Sequence, residues 1–125
     1  MAQVFVQMHR AHPGKVHVNG VDNKPWFQRL TFSPRRLVEL QDIVRLHCWP
    51  SSTRAGTHGG PLNPPYTHLG ANMATLARAL ARAPAKPVWN QKFGVCATEM
   101  PEADISAWME TFTHAAIHAG VIWFT

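Results

Sequence analysis

Short apolar runs alternate along this chain with longer stretches in which apolar residues recur every three or four positions. The first kind of pattern predicts strands and the second predicts helices. Ile43-Val44-Arg45-Leu46-His47-Cys48-Trp49 is close to a continuous apolar run and is closed by Pro50, as expected of a strand covered on both faces. Pro87 to Gly94 and Val121 to Thr125 read the same way, and Val16 to Val21 is a shorter β-branched run that ends in the loop residues Asp22-Asn23-Lys24-Pro25. Leu69 to Ala83 predicts a helix, with Met73, Leu76, Ala77 and Leu80 on one face and Pro84 beyond its end. A second helix opens at Pro101, carries Ile105, Trp108, Met109, Phe112 and Ala116 on one face, and closes with Gly120 in the C′ position. Ser33-Pro34 predicts a short helix capped by Ser33, with Leu37, Val38 and Leu40 as its apolar stripe. The opening segment through His12 reads as a helix tail stopped by Pro13-Gly14.

The resulting order is helix tail followed by strand and helix in alternation, ending on a strand, which is the signature of repeated βα units around a parallel sheet. The fold class is therefore α/β, with about four parallel strands alternating with helices in a single domain over residues 1–125. Strict alternation in the third strand would turn Val88, Asn90 and Lys92 inward and bury Trp89, Gln91 and Phe93 against the helices. The Ser51 to Pro65 stretch, rich in Ser, Thr, Gly and Pro, is expected to form a loop along a cleft wall. A chain of 125 residues is about half of a complete (β/α)8 barrel. Starting in mid-helix and ending on a strand, it reads as a partial barrel cut from a larger one.

Composition narrows the class further. With 46% hydrophobic and 15% charged residues the chain is neither disordered nor fibrous, and no apolar run approaches the twenty or so residues of a membrane span. The amino terminus carries no visible export signal, and the compartment is left open. The net charge is +5, but the cations are dispersed, so no specific nucleic-acid binding is expected. Cys48 and Cys96 lack framework spacing and read as free thiols, although they lie near the ends of neighbouring strands, where a bridge is geometrically open.

Working groups in parallel α/β folds sit at the carboxyl ends of strands. Here those ends carry Asp22 and Asn23, then His47 and Trp49, then Lys92, and finally Thr125. Trp26, Trp49 and Tyr66 lie in or beside the loops at that end and are positioned to stack on sugar rings or to plug the rim. His9, His12 and His17, and His114 with His118, have spacings that bring imidazoles together, but no acidic partner accompanies them in a metalloprotease arrangement. No metal and no cofactor is expected.

The strand ends carry a resemblance. His47-Cys48-Trp49 is similar to the close of the sixth strand in family 5-like glycoside hydrolases. Lys92-Phe93-Gly94 resembles the "Glu, aromatic, Gly" sequence that ends their seventh strand, and Gly120-Val121-Ile122-Trp123 resembles their eighth. The resemblance covers nearly the whole chain as strands five to eight of a cellulase- or mannanase-like barrel. It implies a retaining hydrolase of β-linked glucan or mannan, in which Lys92 occupies the position of the nucleophile and His47 lies beside it. Trp49, Asp22, Asn23, Trp26, Tyr66 and Trp123 would then border the sugar. Retention requires two carboxyl groups roughly 5 Å apart, and an ammonium can neither attack the anomeric carbon nor stabilise an oxocarbenium ion. With Lys92 at the nucleophile position and the acid/base strand absent, the chain is expected to be catalytically incompetent. Other readings are a carbohydrate-binding pseudoenzyme and a basic interaction module. A lysine at a barrel strand end is also the nucleophile type of Schiff-base aldolases, but no acid/base network accompanies this one. Exposed half-barrel edges predict self-association.

Overall fold

In the computed structural model, which describes residues 2–19, 24–27, 33–53, 60 and 62–125, the last three expected strands and the long helices between them follow the expected order. The elements are α1 (Ala2–Ala11), α2 (Lys24–Phe27), α3 (Pro34–Leu40), β1 (Val44–Cys48), a 3-10 turn (Pro50–Thr53), α4 (Pro64–Thr67), α5 (Leu69–Ala81), β2 (Val88–Phe93), α6 (Glu102–His118) and β3 (Trp123–Phe124). The sheet order is β1-β2-β3, and both pairings are parallel. Parallel neighbours need a crossover, which α5 and α6 provide.

The core lies between the sheet and these helices. Val44, Leu46, Cys48 and Val88 face Met73, Ala74 and Ala77 of α5 and Trp108, Phe112 and Ala116 of α6, all buried. Phe112 stacks on Trp108 at a centroid distance of 4.8 Å and on Phe93 at 5.0 Å, so α6 is keyed to the end of β2 through an aromatic column. Gly70 lets α5 approach this column: a Cβ there would stand 2.6 Å from Phe112 Cζ and 2.7 Å from Asn90 Nδ2. The helix ends follow local chemistry. Arg82 closes α5 in the left-handed region at φ 52°, and Gly120 follows α6 at φ +73°, where glycine carries no Cβ penalty.

Several expectations are corrected. Among the described residues the sheet has three strands, because Val16 to Asn19 do not join it. Their amides turn to side chains instead: His17 N–H donates to Asp42 Oδ2 at 2.7 Å, and Asn19 N–H to Gln41 Oε1 at 3.1 Å. The segment read as a continuous loop contains α4, whose first amides are capped by the Asn63 side chain accepting from Tyr66 N–H at 3.0 Å. Ser33 holds the N-cap position of α3, but its hydroxyl makes no capping bond. On α5, Leu76 is exposed and Ala74 takes the buried position. Both cysteines are free, Cys48 buried and Cys96 exposed.

The phase of β2 is also corrected. Val88 and Asn90 are fully buried on the helix side, so Trp89 and Gln91 take the opposite, inner face. The register then slips: Leu46 pairs with Asn90 but His47 pairs with Lys92, which leaves Gln91 as the extra residue of a bulge. A bulge places two consecutive residues on one face, so Gln91 and Lys92 both lie inward with His47, and Phe93 returns to the helices. Lys92 reaches the inner face through this irregularity and not through unbroken alternation.

Candidate functional site

The carboxyl ends of β1 and β2 bring together His47, Trp49, Gln91, Lys92 and Gly94. His47 sits between Leu46 and Cys48, which point to the core, so its ring takes the inner face. There its Nε2 is hydrogen-bonded to Gln91 Oε1 at 3.0 Å, which orients the ring. Lys92 stands in register with His47, and its side chain is exposed. Trp49 leaves the end of β1 and lays its six-membered ring over Gly94, where an added Cβ would meet Trp49 Cζ3 at 2.9 Å. The glycine of Lys92-Phe93-Gly94 is therefore the seat of the neighbouring tryptophan.

Below this group the inner face continues with Arg45, two positions before His47 and so about 7 Å from it along the strand. Its Nε is buried and has no hydrogen-bond partner among the described residues, and burial lowers its pKa. The register partner of Arg45 is Trp89, which itself pairs with Trp123 of β3. Val16, Val18, Ile43, Trp89, Trp123, Phe124 and Thr125 line an apolar groove of about 420 Å³. Trp123 lies at the level of Trp89, three positions and about 10 Å before Lys92, so it belongs to this groove and not to the His47–Lys92 row.

The remaining candidates fall elsewhere. Tyr66 is buried in the helix-side core, where its hydroxyl donates to Glu99 Oε2 at 3.0 Å. Burial, and then the neighbouring Glu99, push the Tyr66 hydroxyl up to about 12. Trp26 of α2 packs half-buried against the same core. Asp22 and Asn23 lie outside the described residues. The His9 ring lies tilted against His17 at a centroid distance of 4.4 Å and bonds Asp42 Oδ1 at 3.3 Å, at the amino-terminal side of β1. No group of three or more metal-ligating side chains occurs among the described residues. Sequence reasoning missed Gln91 and Arg45. Arg45 was visible as the residue two before His47 in the same strand, whereas Gln91 is brought beside His47 by the bulge, which no sequence signal marks.

The fold has counterparts among solved structures. A GH5_18 from Bifidobacterium longum subsp. infantis superposes on 97% of the chain with a TM-score of 0.84 at 19% identity, and 29% of its own chain is covered. The hyperthermostable endo-1,4-beta-D-mannanase from Thermotoga petrophila RKU-1, solved with maltose and glycerol, superposes on 98% with a TM-score of 0.71 at 15% identity, with 37% of its chain covered. No family model and no curated protein sequence matches. At these identities the likeness shows the fold: the chain has the architecture of part of a (β/α)8 barrel. It spans about a third of the length of the solved chains it matches, at 29% and 37%.

Proposed function

We propose that this chain forms one wall of a retaining-glycosidase-type barrel that holds β-linked glucan or mannan, and that it does not itself cleave the glycosidic bond. The observation that carries this reading is the row His47–Lys92 at the strand ends, with His47 fixed by Gln91 and Trp49 seated over Gly94. His47 and Trp49 supply a polar contact and an aromatic wall, the usual requirements for holding a sugar ring. Lys92 removes the chemistry: a cation at the attacking position opposes the positive charge that builds on the anomeric carbon. No carboxylate among the described residues accompanies it on the inner face. Glu39 pairs with Arg35 and Arg36, Asp42 binds His9 and the His17 amide, Glu99 accepts from Tyr66, and Glu102, Asp104 and Glu110 lie on α6.

Two measurements on the full chain test this. Calorimetry against cello- and manno-oligosaccharides should show binding that Trp49→Ala weakens without lowering the melting temperature. Activated aryl β-glycosides, which need no general acid, should be released no faster than in buffer. Release above buffer that disappears in Lys92→Gln would overturn the assignment of Lys92. The groove around Trp89 and Trp123 is apolar and half-exposed, and we expect copies of the chain to associate through it. A monodisperse monomer in sedimentation would refute that association.

A further inference from the structure

Among the described residues, the inner face of the sheet carries cations without a countercharge, which deepens the reading above. Arg45 and Lys92 stand on it one strand apart, with the His47–Gln91 pair beside them. Among the described residues neither cation has an ion-pair partner. The chain has 7 acidic residues. Of these, Glu39, Asp42, Glu99, Glu102, Asp104 and Glu110 are placed on the helices, in the turn before α6 or at the amino-terminal side of β1, and Asp22 lies outside the described residues. Arg45 is the sharper of the two cations, because its Nε is buried without an acceptor among the described residues. A guanidinium with a buried, unpaired N–H is costly unless an acceptor arrives to meet it, and a carboxylate matches its fork geometry best.

The same face supplies what a neutral sugar needs: the ring of Trp49 over Gly94, and the His47–Gln91 pair. We propose that the saccharide held here is acidic, a β-linked sugar whose ring carries a carboxylate, with Lys92 and Arg45 as the groups that select it. The proposal rests on the carbohydrate reading and adds the charge of the ligand. Lys92, exposed at the rim, steers and holds the carboxylate of a unit entering from the strand ends. Arg45, two positions deeper, receives the carboxylate of a unit lying further in. The cation that disables hydrolysis is then also the specificity element.

A matched pair of probes tests this on the full chain: β-1,4-linked mannuronate tetramer and β-1,4-mannotetraose, which differ in a carboxylate against a hydroxymethyl group on each ring. Calorimetry at neutral pH and low salt should give about tenfold tighter binding of the mannuronate, the scale of one charge-assisted hydrogen bond. That preference should shrink as salt is raised from about 20 to 200 mM. Lys92→Gln, an exposed substitution that leaves folding intact, should cut the preference for mannuronate severalfold and leave only the part that Arg45 supplies. Arg45→Lys, which keeps the charge but not the fork, should lower mannuronate affinity without changing the melting temperature. Equal affinities for the two tetramers, or a preference that survives undiminished in both variants, would overturn the proposal and leave the carbohydrate reading standing. Binding of neither tetramer would overturn both. Competition by sulfate as effective as by the mannuronate would also overturn it, because the site would then recognise an anion and not a sugar.

Discussion

At the amino-terminal ends of the strands, several polar side chains are tied to backbone amides and carbonyls, whereas at the carboxyl ends a buried histidine meets a glutamine and one lysine stands exposed. Gln41 accepts from Asn19 N–H and Arg45 N–H and donates to the Leu37 carbonyl, while Lys86 donates to the Gln41 carbonyl. Arg78 donates from Nε to the Lys86 carbonyl at 3.1 Å, from Nη2 to the Gly120 carbonyl at 2.6 Å, and from Nη1 to the Ala119 carbonyl. This guanidinium caps the end of α6 and pins the α5–β2 connection to it. At the other end, His47 meets Gln91, Trp49 covers Gly94, and Lys92 stands exposed. The difference teaches how such a fold divides its work. One end is closed by satisfied backbone carbonyls and carries stability; the other presents exposed Lys92 and half-buried Trp49, the side chains on which the proposed recognition rests.

Breaking the closed region should cost most. Phe112→Ala removes the ring that joins Trp108 to Phe93, and should destabilise by about 4 kcal/mol in urea unfolding. Arg78→Ala strips three carbonyls of their donor and should cost about 2 to 3 kcal/mol, with Arg78→Lys recovering only part because one ammonium cannot reach all three. At the open end, Gly94→Ala should cost about 1 to 2 kcal/mol by pushing into Trp49. In a Trp49→Ala background the same change should be nearly neutral, and a double-mutant cycle measures that coupling.

A pH dependence reports on the helix-side core that both regions share. Burial raises the Cys48 thiol from its ordinary value of 9.0 to about 12, and burial with Glu99 raises the Tyr66 hydroxyl from 10.0 to about 12. Both groups are neutral when protonated. The unfolded chain therefore gives up these protons first, the folded chain binds more protons between about pH 9 and 12, and stability falls as pH rises through that window. Urea midpoints measured at pH 8 and pH 10 check the sign. A thiol reagent at pH 8 should titrate exposed Cys96 and leave Cys48 until the chain unfolds. The smallest effect belongs to Lys92→Gln, within about 0.5 kcal/mol of wild type, because an exposed ammonium at the open end supports nothing below it. A larger loss there would show that Lys92 is structural and would erase the contrast between the two ends.

Much of this layout was legible in the residues. Helical spacing from Ile105 to Ala116 marked the buried face of α6, and Gly120 marked its end, since these depend on neighbours within a few positions. Pairing His47-Cys48-Trp49 with Lys92-Phe93-Gly94 located the site, because successive parallel strands end on the same side of a sheet. The sequence did not reveal that Val16 to Asn19 would bond side chains instead of a strand, or that Tyr66 would be drawn into the helix-side core. Nor did it reveal that a bulge at Gln91 would carry Lys92 to the inner face.

What the chain alone determined was the order of β1, β2 and β3 with the long helices between them, the parallel sense of that sheet and the residue types at its strand ends, all of which follow from local periodicity and short connections. Only the tertiary structure decided which way each strand residue points. That direction depends on register, and register is set by the packing of Asn90 against Gly70 and Phe112, partners from distant parts of the chain that no local pattern can bring together.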